Sequence, residues 1–220
     1  MAEPQEGSAA SGTHRARRSA VGAVDPAPLP ASFFARDTAT VAREMLGTLL
    51  VSTVGGRRRV AEIVETEAYV GPEDDASHAA ARFGRTARND PMFGRAGTAY
   101  VYLIYGMHWC LNVVTGDEGH PAAVLLRAAR PVEGIDAMRA VRAGRPDRDL
   151  LRGPGNLARG LDVTGEHNRR PLDRAPLWIA AGTPVPEEAV AVGPRIGITR
   201  AADWPLRFWV RGSPWVSGRS

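Results

Sequence analysis

Residues 98–114, TAYVYLIYGMHWCLNVV, hold two apolar runs, Thr98–Tyr105 and Trp109–Val114, joined by Gly106, Met107 and His108. Aromatic and β-branched residues dominate both runs, and a short glycine-containing break separates them, so the stretch reads as a β-hairpin. Upstream, Leu49–Val54 and Val60–Val70 flank the turn-forming GGRRR and predict a second hairpin. Downstream, Ala122–Ala128 reads as a buried strand, and Leu177–Ala180, Arg195–Ile198 and Leu206–Val210 as three late ones. Helical patterns are fewer. One follows a cap at Asp37 or Thr38, with Val41, Met45 and Leu46 as its apolar positions and Gly47 as its stop. A second opens at Pro131 and runs to about Ala143 before Gly144, and a short third begins at Pro154. Strands outnumber helices, with neither βαβ alternation nor an internal repeat. The expectation is an α+β fold, a single domain with a curved, mainly antiparallel sheet flanked by helices. Residues 71–97, dense in turn formers and charges, read as a long functional loop rather than a packed element.

A chain of 220 residues can bury one sizeable core. Residues 1–31 lack any apolar period and are rich in Ala, Gly, Ser, Pro and Arg, so they read as a disordered tail before a domain at 32–220. Arg15, Arg17 and Arg18 balance Glu3, Glu6 and Asp25 in that tail, which leaves the whole net charge of +4 on residues 32–220. A basic folded domain points to a polyanionic partner. No apolar run is long enough to cross a bilayer, no secretory signal precedes the domain, and the single Cys110 fits a reducing cytoplasm. All 28 basic residues are arginine. A P-loop lysine, a pyridoxal Schiff base and a lysine nucleophile are therefore excluded. The five histidines lie far apart, without metal-ligand spacing, so no metal and no cofactor is expected.

Two short segments collect all four tyrosines: VETEAY, ending at Tyr69, and the hairpin, with Tyr100, Tyr102 and Tyr105. Alternation along a strand puts Ile63, Glu65, Glu67 and Tyr69 on one face. Glu65 reads equally as a solvated edge residue or as part of a site, whereas Glu67 beside Tyr69 suits a general base next to an aromatic wall. On the hairpin, Tyr102 can line a pocket, and Tyr105 sits at the tip, where an exposed aromatic can wedge into a base stack. Asn112, in the apolar run WCLNVV, is either a structural hydrogen-bonder or a reader of a substrate edge. Arg127 can reach a phosphate or a base, or form a structural ion pair.

Four blocks carry a more specific message: VETEAYVGPEDDASHA, RNDPMFGRAGTAYVYLIYGMHWCLNVV, AVLLRAARPVEGI and PLRFWVRGSPWVS. In this order, over residues 32–217, they resemble the alkyladenine (3-methyladenine) DNA glycosylase family. The resemblance implies a monomeric, cytoplasmic enzyme, nucleoid-associated when bound to DNA. Such an enzyme flips an alkylated or deaminated purine out of duplex DNA and hydrolyses its N-glycosidic bond without a metal. It further implies Glu67 as the water-activating base and Tyr69, His78 and Tyr102 as the walls around the flipped base. Tyr105 becomes the intercalating wedge of a DNA-inserting hairpin, Asn112 the residue crowding a guanine 2-amino group, and Arg127 a basic residue near the flipped nucleotide. The loop from His78 to Arg88 is about one residue longer than the vertebrate pattern, and His108 and Trp109 replace other aromatics beside the hairpin tip. Two other readings use the same residues: a non-enzymatic nucleic-acid module and a hydrolase of free nucleosides. A carboxylate at Glu67 argues against the first and an exposed Tyr105 against the second.

Overall fold

A computed structural model of the chain describes residues 26–218. Its centre is a nine-stranded sheet in which every pairing between strands is antiparallel. Two long strands, β2 (Arg59–Tyr69) and β5 (Ala123–Glu133), lie side by side in the middle. The hairpin of β3 (Ala99–Ile104) and β4 (His108–Val114) extends the sheet beyond β5. On the other side come β1 (Leu49–Ser52), β7 (Leu177–Ala180) and the two-residue β6 (Asp173–Arg174).

The free edge of β2 is shared. Its first part pairs with β1, and Glu65–Glu67 pair with β9 (Arg207–Val210), which in turn pairs with β8 (Val190–Gly193). Where the edge changes partner, the β2–β5 register slips between Ile63 and Thr66. Bulges of this kind bend a strand and sharpen its twist, which gives the sheet its curl. The main core fills one face, where Ile63, Ala68, Leu111, Val113 and Leu126 pack with Val41 and Met45 beside α2 (Thr38–Glu44) and Leu157 of α4 (Pro154–Gly160). As expected, Asp37 caps α2 by accepting from the Thr40 N–H at 2.8 Å.

Several expectations are corrected. Ile63 does not share a face with Glu65 and Glu67. It joins the main core together with Ala68, because the bulge reverses the alternation between them. Pro131 opens no helix but lies in β5 opposite Ala61, at another register slip where its missing N–H is tolerated. Helix α3 runs Ile135–Val141 and is started by Gly134, whose φ of 72° and a would-be Cβ 2.2 Å from the Arg58 carbonyl oxygen require glycine. Arg195–Ile198 is not a strand; the strand falls earlier, at β8. The 71–97 loop is irregular yet packed, with Asp74, Ser77, Asn89 and Met92 buried. Residues 1–25 of the expected tail lie outside the described residues. Residues 26–31, assigned to the same tail, run beside β7: the Leu29 N–H donates to the Ile179 carbonyl at 2.8 Å and the Trp178 indole to that of Pro26 at 3.2 Å. Among the described residues no helix is long and apolar enough to cross a membrane.

Candidate active site

The face of the sheet opposite the main core is organised by strand register. Tyr100 opposes Asn112, Asn112 opposes Leu125, Leu125 opposes Glu67, and Glu67 opposes Arg207, which makes one row across β3, β4, β5, β2 and β9. Two residues along, the same alternation adds Tyr102, Cys110, Arg127 and Tyr69 to that face. The 71–97 loop and residues 196–200 close over these side chains. They enclose a cavity of about 400 Å³ walled by Tyr69, His78, Tyr102, Asn112 and Arg127.

Five of the seven residues singled out in the sequence therefore line one cavity. Glu67 stands directly behind its wall, fully buried. Its Oε2 accepts from the Tyr69 hydroxyl at 3.0 Å, and its Oε1 accepts from the Ile196 N–H at 2.7 Å and faces Arg127 Nη1 at 3.3 Å. Tyr69, Ile196 and Arg127 all line the cavity, so each wall member that surrounds the carboxylate also faces the substrate space. Burial raises the Glu67 pKa; Arg127, the Ile196 N–H and the Tyr69 hydroxyl oppose it, and the neighbouring Glu65 adds to it. The outcome is a carboxylate more basic than usual and still well supplied with donors. Burial and the charge of Glu67 push the Tyr69 phenol well above its ordinary range, so it stays a donor to that carboxylate.

Glu65 is no solvated edge residue. It is fully buried, accepts from Arg207 Nε at 2.7 Å and the Ser217 N–H at 2.6 Å, and lies 3.4 Å from Arg127 Nε. Arg127 thus bridges two buried carboxylates, and its ion-pair role is realised at the cavity wall. Asn112 is a structural hydrogen-bonder, its Nδ2 donating to the Tyr100 carbonyl at 2.9 Å, and it also lines the cavity.

His78, delivered by the loop, packs edge-on against Tyr102 with ring centroids 4.6 Å apart. Its Nδ1 lies 2.8 Å from the Tyr100 hydroxyl. Burial, reinforced by Arg88, lowers the His78 pKa to about 4, so the ring is neutral near pH 7. A neutral imidazole at this wall does not repel a cationic group in the cavity. Tyr105 stands apart. It forms the tip of the β3–β4 hairpin at φ 52° and is 81% exposed, beside Met107 at 71%.

Sequence reasoning missed three contributors: the Ile196 N–H, the Arg207–Ser217 cradle of Glu65, and the buried pair Asp74–Arg195. Two of the three depend on residues 195–196, read in the sequence as strand. The glycine and proline on either side, PRIG, were the available signal for a loop there.

A flat, aromatic-walled cavity backed by a buried carboxylate is equipment for hydrolysis next to a planar base. Comparison with known proteins gives that class its family: residues 32–214 match the model of methylpurine-DNA glycosylase, and the chain belongs to this family. It is a DNA glycosylase, a hydrolase that acts on alkylated bases. Its relatives include proteins named "Putative 3-methyladenine DNA glycosylase" from several organisms. That of Myxococcus xanthus (strain DK1622) is 54% identical over 192 residues, covering 86% of this chain and 93% of the relative. Those of Rhodopseudomonas palustris (strain HaA2) and Methanoculleus marisnigri are 49% and 48% identical, covering 90% and 87% of this chain and 94% and 99% of the relatives.

Proposed function

We propose that the protein is a monofunctional glycosylase that flips alkylated or deaminated purines out of duplex DNA, as a monomer, and hydrolyses their N-glycosidic bond. The purines are of the 3-methyladenine, 7-methylguanine and hypoxanthine type. The observation that carries this reading is Glu67, fully buried behind an aromatic-walled cavity of about 400 Å³ and held by three of its wall members. In the ionised state Glu67 takes a proton from water as that water attacks the anomeric carbon, and the purine departs with the bonding electrons. Tyr69, His78 and Tyr102 hold the extrahelical base, and rings attract a cationic purine by roughly 0.5–2 kcal/mol. A purine carrying positive charge leaves as a neutral base, so base activation of water suffices for it, whereas neutral hypoxanthine must also take up a proton from solvent as it departs.

Tyr105 fills the gap left in the stack, which offsets part of the few kcal/mol that flipping costs. Asn112 meets the purine edge where guanine bears its 2-amino group, and Arg127 stabilises charge around Glu67. The test is incubation with duplex oligonucleotides carrying each lesion, scored for abasic sites. Glu67→Gln is expected to abolish base release while lesion-DNA binding stays within about threefold, because a lost base affects the transition state far more than the ground state. Cleavage by that variant at near wild-type rate under enzyme excess would sink the assignment.

A further inference from the structure

Asp74 and Arg195 form an ion pair with both side chains completely buried, and neither residue lines the cavity. Arg195 Nη2 donates to Asp74 Oδ1 at 2.8 Å, and Nη1 donates to Asp74 Oδ2 and, at 2.9 Å, to the Ala68 carbonyl. The guanidinium carbon lies 4.7 Å from the centre of the Tyr69 ring. Since Tyr69 lines the cavity and Arg195 does not, the arginine backs the ring from the far side. Asp74 also accepts from the N–H groups of Val70 and Ala76, at 3.3 and 3.0 Å. The next residue after Arg195 supplies the N–H that meets Glu67. Residues 194–200 form neither helix nor strand, so their position depends on such side-chain ties. A buried ion pair contributes little net stability compared with an apolar pair of equal volume, and its better-attested use is to fix one arrangement.

We infer that the Asp74–Arg195 pair is a positioning device for the reaction, holding the Ile196 N–H on Glu67 and the Tyr69 ring flat against the cavity. It fastens three segments at one point: the end of β2, the start of the 71–97 loop and the 194–200 segment. The inference rests on the reading of Glu67 as the base. The charged and titratable groups facing Glu67 are Arg127 from β5, Glu65 and Tyr69 from β2, and Arg207 from β9 behind Glu65, with Arg195 reaching it only through Tyr69 and Ile196. Releasing the Ile196 N–H removes a donor that favours the ionised carboxylate, so Glu67 holds its proton to higher pH.

The experiment measures release of methylated bases from methylated duplex DNA under enzyme excess, as a function of pH and enzyme concentration. The full-length protein is compared with Arg195→Met, Asp74→Asn and Arg195→Lys. For the Met and Asn variants the acid limb is expected to move up by about one pH unit, the scale of one hydrogen bond to a charged group. The maximal rate should fall about tenfold or more, with the half-saturating concentration changed less than about threefold, the mark of an interaction realised in the transition state. Arg195→Lys, which keeps a cation beside Asp74, should return the limb toward wild type. If Arg195→Met melts too low to assay, Asp74→Asn and Arg195→Lys, which nearly conserve volume, carry the comparison. A folded Asp74→Asn or Arg195→Met protein whose acid limb superimposes on wild type, while Glu67→Gln is inactive, overturns the inference alone. A Glu67→Gln protein that still releases bases overturns the reading of Glu67 and the inference with it.

Discussion

In the proposed mechanism Glu67 acts in its ionised form, and burial raises its pKa, so its titration is expected to set the low-pH side of the reaction. The sign follows directly: as pH rises through the raised pKa, the proton leaves and the rate climbs. His78 also lines the cavity, and burial lowers its pKa to about 4, so the ring is neutral near pH 7. The expected profile of base release therefore rises through one titration that lies above the ordinary carboxylate position, and His78→Gln lowers the rate without moving that limb. A limb that shifts in His78→Gln would assign the titration to the histidine. Asn112 gives a second test, because its amide serves both the Tyr100 carbonyl and the cavity edge. Asn112→Ser is expected to raise guanine-type release relative to hypoxanthine, by a relieved contact of about 1–3 kcal/mol. The lost hydrogen bond should cost about 1 kcal/mol of stability. An unchanged ratio with a lower Tm would leave Asn112 purely structural. At this scale the sequence was informative about which side chains gather at one place: Tyr69, His78, Tyr102, Asn112 and Arg127 line the cavity, and Glu67 is buried behind it. It was silent on the Ile196 N–H, since a backbone donor has no residue identity to read.

Among the elements, legibility followed the strength of the local pattern. The β3–β4 hairpin, α2 and the loop at 71–97 were all visible, because alternation, caps and turn formers agree there. The bulge in β2 was not. Its cause is tertiary: β1 and β9 compete for one edge of the strand, and no residue between Ile63 and Thr66 announces the slip. That slip matters, because it sends Glu65 and Glu67 to the cavity face while Ile63 and Ala68 stay in the core. Pro131 misled for a related reason; a proline suits a first helical turn and a strand irregularity equally. The hairpin tip supplies the prediction at this scale. Tyr105 is 81% exposed and Gly106 follows at φ 67°, so the aromatic is held out in solvent and buries little in the folded protein. Tyr105→Ser should leave Tm within about 1 °C, as exposed substitutions usually do. It should slow base release from a fully paired duplex about tenfold or more, and much less where the lesion is mispaired and unstacking is cheaper. Equal losses on both substrates would mean that Tyr105 acts on the hairpin fold instead.

For the molecule as a whole, the question is where the domain begins. The sequence places that point at Ser32, since the first apolar positions of a helix lie beyond it and residues 1–31 carry no net charge. Composition cannot report an extended segment that docks through its backbone, however, and residues 26–31 do so. Pro28 bridges Ala180, the Leu29 N–H bonds to Ile179, and the Trp178 indole bonds to Pro26. Leu29 also packs against the main core. Two truncations separate these views. A protein lacking residues 1–25 keeps all of these contacts and should match the full chain in Tm and in base release. One lacking residues 1–31 loses the two hydrogen bonds that tie this segment to β7, each worth about 1 kcal/mol net, together with a partly buried leucine. A loss of about 2–4 kcal/mol corresponds to a fall in Tm of roughly 4–16 °C for a domain of this size. Its base release at 25 °C should persist, because β7 and the N-terminal segment lie across the sheet from β3, β4 and β5, which with β2 build the cavity. Equal melting temperatures for the two truncations would return the domain boundary to Ser32.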